Sequence, residues 1–592
     1  MCGIVGYIGK ENPKNILIEG LKKLEYRGYD SSGIALKNDE KVQVIKSTGK
    51  IKDLEIKMNN TKIIDSHIGI AHTRWATHGI ANETNAHPHT VGRVTIVHNG
   101  IIENAEELKA KLIKEGVKFK SETDTEVACA VIDKYYKDNP IEAINKAIKE
   151  IVGSYAFGII FEDINDKIYA VRKDSPLIIG VGKEENYIAS DIAAIIKYTG
   201  EYILLDDNEI VELSNNNVNV YQGNKIVNKK IEKSSLSIDE ASKGSYKHFM
   251  LKEIMEEPMV LQRTLNKYID NMEEIFDVSK YEEIHIVACG SAMYAGMIGK
   301  CLFEEKSNIK CYVECASEYR YKKVIYDRKT LVILVSQSGE TADTIAAMRK
   351  AHDERIDTLA IVNVKTSTIA REAKHCLFIE AGPEIAVATT KAYLLQVAIF
   401  SLIALKAANV KGLEKNYNAV LKEAKELPKK LKKVLDDKDK FLGVAKDIKD
   451  CKDAFFIGRG VDYAMCEEGC LKLKEVSYTH SDAYQAGELK HGTISLIEDG
   501  VPVFAIITDD KIKAKTESNV IEVESRHAKI FTITNDKTIK DHYFRYVVDK
   551  ISDYFQPILV VPPLQLIGYY VADIRNLDID KPRNLAKSVT VE

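Results

Sequence analysis

Cysteine at position 2 carries two reactive groups once an initiator methionine is removed, a thiol and a free α-amine. A thiolate is a strong nucleophile, and an amine of pKa about 8 can serve as its base near neutral pH. The apolar residues Ile4, Val5, Tyr7 and Ile8 read as a buried strand that fixes this terminus; the plainer account is a start methionine followed by a small residue. Arg74 lies in Ala71-His-Thr-Arg-Trp-Ala-Thr-His-Gly79, where a guanidinium fork suits a carboxylate. His98-Asn99-Gly100 is either a hairpin turn or a side-chain amide beside a glycine N–H, a pair of donors for an oxyanion. Asp124 is a helix N-cap or an anchor for an ammonium group.

The second half offers different chemistry. Leu331-Val-Ile-Leu-Val-Ser-Gln-Ser-Gly-Glu-Thr341 reads as a buried strand, a hydroxyl-rich turn and a helix start. Hydroxyls and free N–H groups at a helix N-terminus form a phosphate site, and the missing GK[ST] lysine argues against nucleoside triphosphates. Ala388-Thr-Thr-Lys391 adds polar contacts ahead of an apolar helix. Glu468, Lys472 and Glu475 recur at i, i+4 and i+7, which makes either an exposed salt-bridged face or an acid–base face. His491, in the glycine-bracketed Gly487-Glu-Leu-Lys-His-Gly492, suits proton transfer. The terminal stretch from Lys581 is apolar enough to be docked.

The elements that must position these residues fall into two kinds. Up to about residue 240, strands such as Ile68-Ala71, Val94-His98, Ala156-Phe161 and Lys167-Arg172 alternate with helices near 15–24, 105–115 and 125–137. A polar stretch, Lys229 to Lys247, reads as a linker. Beyond it, long helices alternate with short apolar strands, the sign of parallel α/β units. The strand-and-glycine pattern at 284–290 returns at 454–460, an offset of 170 residues, and predicts two tandem domains split near the lysine-rich 422–440. The second copy has Ile507-Thr-Asp-Asp510 in place of the serine-rich turn, and its acidic pair repels phosphate; one phosphate site per chain is expected.

Composition bounds the function. At 592 residues several domains are expected, and a net charge of −4 gives no general attraction to nucleic acid or acidic membranes. No signal-like segment precedes Cys2, and the apolar run Ala392–Leu405 is too short to span a membrane, so it reads as a buried helix. The ten cysteines read as reduced cytosolic thiols, and the C-x3-C pairs 311/315 and 466/470 as core residues. Six of 14 histidines lie between His67 and His98 without helical metal-ligand spacing, so no metal is expected.

Cys2-Gly3-Ile4-Val5-Gly6, Tyr26-Arg-Gly-Tyr-Asp-Ser31, His72 to Gly79, His98-Asn-Gly100 and Thr123-Asp-Thr-Glu126 resemble the glutaminase domain of N-terminal-nucleophile amidotransferases. The resemblance implies a four-layer αββα fold over residues 2 to about 240. It implies that Cys2 attacks the glutamine amide and that Asn99 and Gly100 line the oxyanion hole. Arg74 and Asp124 hold the amino-acid end, with Trp75, Thr77 and His78 bordering the pocket. The later motifs resemble a pair of sugar isomerase (SIS) domains, and nearly the whole chain resembles the isomerising glutamine–fructose-6-phosphate aminotransferase family, most specifically at 487–492 and 582–592.

That family implies that Cys289, Gly290, Ser291, Ser336, Gln337, Ser338, Thr341, Val387, Ala388 and Ala586 bind the sugar phosphate. Lys587 forms an imine with the ketose and Glu475 shuttles the C1–C2 proton. Glu468 and Lys472 support them, and His491, donated by a neighbouring subunit, opens the ring. The family usually has a hydroxyl where Ala292 sits. The expected chain is a cytoplasmic homodimer without cofactor, metal, membrane or nucleic-acid partner. It takes L-glutamine and D-fructose 6-phosphate to glucosamine 6-phosphate, the first step of amino-sugar (UDP-N-acetylglucosamine) biosynthesis. Its expected segments are a glutaminase domain at 1–240, a linker at 241–248, SIS domains at 249–430 and 431–575, and a tail at 576–592. A phosphoribosyl-amine synthase or asparagine synthetase would need a diphosphate or pyrophosphate loop that is not visible. A non-catalytic phosphosugar sensor would not need Cys2, Arg74, Asn99, Asp124 and Lys587 together.

Overall fold

The structure, a computed structural model, describes residues 2–76, 79–234, 242–327 and 329–590. It divides into two compact units, one of residues up to 242 with 586 onward, the other of residues 243–585.

The first unit stacks two antiparallel sheets. In the eight-stranded sheet, Gly3–Ile8 lies between Asn186–Ala189 and Ile68–Arg74. In the seven-stranded sheet, Val94–Ile102 lies between His89–Val91 and Gly153–Phe161. Ile4, Ile70, Val97, Ala156, Ile160 and Ile188 fill the space between the sheets. Helices Pro13–Leu24 and Ile51–Asn59 cover the outside of the first sheet through Leu17, Leu21 and Leu54. Helices Ala105–Lys114, Asp124–Tyr135 and Pro140–Glu150 cover the second through Leu108, Val131 and Ile144. Each fully buried aliphatic side chain contributes about 1.5–3 kcal/mol, and the result is the four-layer αββα arrangement.

The second unit holds two five-stranded parallel sheets with the same strand order: second, first, third, fourth, fifth. The leading strands are Glu283–Ala288 and Asp453–Gly458. Each runs through a glycine at φ +56° into a 17-residue helix, Ser291–Ser307 or Val461–Ser477. Only glycine adopts that backbone readily, so the strand-to-helix turn recurs with its residue. Both copies share one apolar core, built around helices Phe249–Ile269, Lys391–Val410 and Gln556–Ile574. The last two are long and apolar enough to cross a membrane, yet most of each is buried inside the unit. The 14-residue run at 392–405 thus belongs to a longer helix, and the sequence reading passed over its partner at 556–574. The lysine-rich segment falls mostly on helix Tyr417–Asp436, with Val420, Ala424, Leu427 and Leu431 turned inward and most of its lysines outward.

Candidate functional site

In the first unit the register of two strands positions the thiol. Gly3 pairs with Thr73, so Cys2 meets the end of strand Ile68–Arg74. The Trp75 amide donates to Cys2 Sγ at 3.4 Å, and the thiol lies 3.6 Å from the Trp75 carbonyl. Burial pushes the thiol up, while the Trp75 backbone and the Arg74 guanidinium pull it down. Arg74 is itself buried, with Nη2 donating to Gly79 O at 3.1 Å. Burial lowers its pKa, and the fields of Cys2, Asp124 and Asp30 oppose that. The turn beneath is tight: a Cβ on Gly28 would come within 2.6 Å of the Trp75 nitrogen, and Asp30 Oδ2 accepts from Ala76 N at 2.8 Å. Sequence reading assigned Asp30 no role, since only this loop crossing shows one.

In two places the structure removes one of the alternatives the sequence left open. Asn99 and Gly100 are not a hairpin turn; they lie within strand Val94–Ile102, opposite Ala156 and Tyr155. The short strand-ending signal misled because Gly100, at φ +128°, is needed for close approach: a Cβ there would sit 2.1 Å from Ser154 O. Asp124 is not the N-cap either. Thr123 caps that helix through Glu126 N, which leaves the buried Asp124 carboxylate to accept from Ile102 N at 2.9 Å. Thr77 and His78 lie outside the described residues, and Trp75 is half-buried at the end of the strand.

Four of the clustered histidines come together. The His72 and His87 rings meet at 4.1 Å, tilted by 30°, with His89 and His98 beside His87. Thr125 Oγ1 meets both His98 Nδ1 and His87 Nε2, at 2.9 and 3.1 Å. Burial pushes His72 down to about 3 and His87 and His89 well below their usual value. Among the described residues no group of three or more His, Cys, Asp or Glu side chains is arranged to hold a metal ion.

In the second unit the serine-rich turn follows strand Thr330–Ser336. Ser336 Oγ shares a hydrogen with Thr341 Oγ1 at 2.9 Å and accepts from Gly339 N at 3.0 Å; Ser338 Oγ accepts from Glu340 N. Asn363 N donates to the Gln337 carbonyl, tying the turn to the next strand. Cys289 and Gly290 close the neighbouring strand, and Ser291 opens its helix.

Helix Val461–Ser477 carries Glu468 and Lys472, both fully buried, and Glu475, partly so. That burial rules out the exposed salt-bridged face. Lys472 Nζ lies 2.6 Å from Glu475 and 3.5 Å from Glu468. Burial pushes Glu468 up to about 8, against the pull of Lys472 and the Ser291 hydroxyl. Burial also works against the Lys472 cation, yet Glu468 and Glu475 hold its pKa above the usual value.

Val387 and Ala388 are buried on a loop that Glu253 holds, its Oε1 accepting from Ile385 N and Ala386 N at 2.5 and 3.1 Å. Asp580 O accepts from Val387 N at 3.0 Å, and Arg583 N donates to Tyr478 Oη at 2.8 Å, so the tail to 585 is docked within this unit. The half-buried Ala586 and Lys587 group with the first unit. His491 is exposed on the short 3-10 turn Glu488–His491. Glu253 carries no sequence signal, because it acts across 132 residues of chain.

The repeat also shows what closes its second copy. Asp462 occupies the position of Ala292, two residues past the shared glycine. Its buried carboxylate accepts from Thr508 N at 2.9 Å, from Thr508 Oγ1 and from Asp509 N at 3.4 Å. Those residues form the turn matching Gln337 and Ser338.

Thiol, guanidinium and carboxylate at the head of an αββα domain put the first unit in the class of glutamine amidotransferases, and the doubled parallel sheet puts the second among SIS proteins. A model of the glutamine amidotransferase domain matches residues 72–197, and one of the SIS domain matches 278–406 and 447–569. The chain is 47% identical to the glutamine–fructose-6-phosphate aminotransferase (isomerizing) of Clostridium tetani and 45% identical to that of Clostridium perfringens, each over the whole of both chains. The solved C-terminal domain of glucosamine-fructose-6-phosphate aminotransferase from Francisella tularensis, 33% identical, covers 57% of this chain and 99% of its own, with TM-score 0.55. The chain belongs to the glutamine–fructose-6-phosphate aminotransferase (isomerizing) family.

Proposed function

We propose that this enzyme hydrolyses L-glutamine at Cys2 and passes the ammonia internally to D-fructose 6-phosphate, forming D-glucosamine 6-phosphate and L-glutamate. This is the entry reaction of amino-sugar biosynthesis. With Met1 removed, the Cys2 amine takes the thiol proton, and the thiolate adds to the amide carbonyl. Arg74 and Asp124 hold the α-carboxylate and α-ammonium, Trp75, Thr77 and His78 border the pocket, and Asn99 with Gly100 stabilises the oxyanion. Ammonia kept from water escapes protonation and stays nucleophilic, which is the reason to enclose its passage.

At the sugar end, the turn Ser336–Thr341 receives the phosphate, and Cys289, Gly290, Ser291, Val387, Ala388 and Ala586 line the sugar. The Lys587 amine adds to C2 of the open ketose and loses water to give an imine; ammonia then displaces the lysine. Glu475 takes a proton from C1 and returns one to C2, leaving an aldehyde at C1 and an amine at C2. Lys472 and Glu468 set its charge. His491 of a second copy opens the ring, so the working form is a homodimer. The scheme needs no metal, organic cofactor, nucleic acid or membrane, and we read the enzyme as cytoplasmic.

The observation that carries this reading is the Glu468–Lys472–Glu475 row, fully buried at Glu468 and Lys472 and partly so at Glu475. Burying charges costs several kcal/mol each, and a proton shuttle gives that cost a purpose. The test combines a product assay with Lys587→Arg, which keeps the charge but forms no imine. Glucosamine 6-phosphate and glutamate should appear one to one only when both substrates are present, and the variant should lose synthesis by about three orders of magnitude or more. Borohydride with fructose 6-phosphate should fix a sugar adduct on Lys587 of the wild type. An adduct on Lys472 or Lys490, or an unchanged rate in the variant, refutes the assignment.

A further inference from the structure

We propose that His72 and Ser190 are positioning residues that fix the Asn99 side-chain amide with its oxygen toward the histidine and its nitrogen toward Ser190, leaving one amide N–H for the oxyanion. The proposal rests on the reading of Asn99 as an oxyanion donor.

An asparagine amide can turn over and exchange donor for acceptor at little cost unless its neighbours forbid it. Both neighbours do so here. His72 Nε2 lies 2.8 Å from the His98 carbonyl oxygen, which only accepts, so Nε2 must carry the ring proton. The same N–H faces Asn99 Oδ1 at 3.1 Å; an inverted amide would set two donors against each other there. Among the described residues His72 Nδ1 is buried with no hydrogen-bond partner, against the tilted His87 ring. The ring therefore stays neutral and in one tautomer, as its low pKa also requires.

On the other side Asn99 Nδ2 donates to Ser190 Oγ at 2.8 Å, and Ile4 N donates to that same oxygen at 2.8 Å. Two incoming donors use both lone pairs of the hydroxyl. Ser190 N closes the link by donating to Ile4 O at 3.0 Å. Ile4 is two residues from Cys2, so one hydroxyl fixes both the strand that bears the nucleophile and the amide that receives the developing charge. Asn99 Nδ2 carries two hydrogens, and Ser190 takes one.

Loss of this orientation should harm the transition state and spare ground-state binding. The test is His72→Phe in the full chain, which keeps a ring against His87 but has no N–H. Glutaminase kcat should fall about 30- to 100-fold, with KM for glutamine within about threefold. Glutamate γ-semialdehyde, whose thiol adduct bears an oxyanion, should lose affinity by the same factor as kcat, while L-glutamate binds as before. His72→Gln, which can still donate, should recover most of the loss. Ser190→Ala approaches the amide from the other side and should show the same selectivity for the aldehyde, which guards against His72→Phe simply failing to fold.

Asn99→Ala, measured alongside, separates the two readings. If it leaves kcat intact, Asn99 is no oxyanion donor and the underlying reading fails. If it abolishes activity while His72→Phe and Ser190→Ala do not, the positioning proposal alone is overturned. Parallel losses of aldehyde and glutamate affinity in both variants also overturn it.

Discussion

Asp462 illustrates how one side chain sets the fate of a repeated turn. Ala292 leaves the amides of Gln337 and Ser338 without a carboxylate from its position, whereas Asp462 accepts from the matching Thr508 and Asp509. Burial pushes Asp462 up to about 7, against an unfolded value near 3.9. Between those values the native protein holds a proton that the unfolded chain has lost, so this group erodes stability as pH rises from about 4 to about 7 and no further above. Asp462→Asn carries no such charge. Its melting temperature relative to wild type should improve across that window, by the equivalent of about 1–3 kcal/mol; a difference that does not change with pH would show that Asp462 does not titrate there. Residues that announce themselves by rare type and company, such as Cys2 and Arg74, stood out in the sequence; the row Glu468, Lys472, Glu475 did too, but its spacing alone left exposed and buried faces equally open. Ser190, Asp30 and Glu253 did not, because each is a common polar residue whose partner lies far along the chain.

At the scale of elements, strand Val94–Ile102 has the most to teach. Asn-Gly after an apolar run reads as a reversal, yet here the strand continues and its glycine admits the neighbouring backbone. Gly100→Ala would force a Cβ to 2.1 Å from Ser154 O at φ +128°. Glutaminase activity should fall by at least about 100-fold and the first unit should melt lower by the equivalent of about 2–4 kcal/mol; near-normal values for both would mean that the strand pair can separate without cost. The repeat was legible because its glycine and apolar strand recur at fixed spacing, and a glycine at φ +56° tolerates few substitutes. The shared core was not, since periodicity marks a face as apolar without naming what covers it. Helix Asp124–Tyr135 shows the same limit on a smaller scale: the start was clear, but which of Thr123 and Asp124 caps it depends on a side-chain rotation.

Taken whole, the second unit depends on a helix made almost last. Helix Val461–Ser477 packs chiefly against Gln556–Ile574, and four of the five strands of the second sheet lie between them in sequence. At roughly 5–20 residues per second of synthesis, the earlier helix waits roughly five to twenty seconds for its cover. During that interval its apolar face, with Met465, Leu473 and Val476, is open to any apolar surface nearby. Birth order thus makes this unit a client of whatever shields nascent chains, and it makes the end of the message a checkpoint. A chain stopped before position 556 should be recovered as aggregate or removed by proteases, without a soluble sugar-binding remnant; a soluble, fructose 6-phosphate-binding product of that length would show that the first sheet matures alone. By that outcome an error late in translation removes the whole second unit and leaves no half-built sugar site behind.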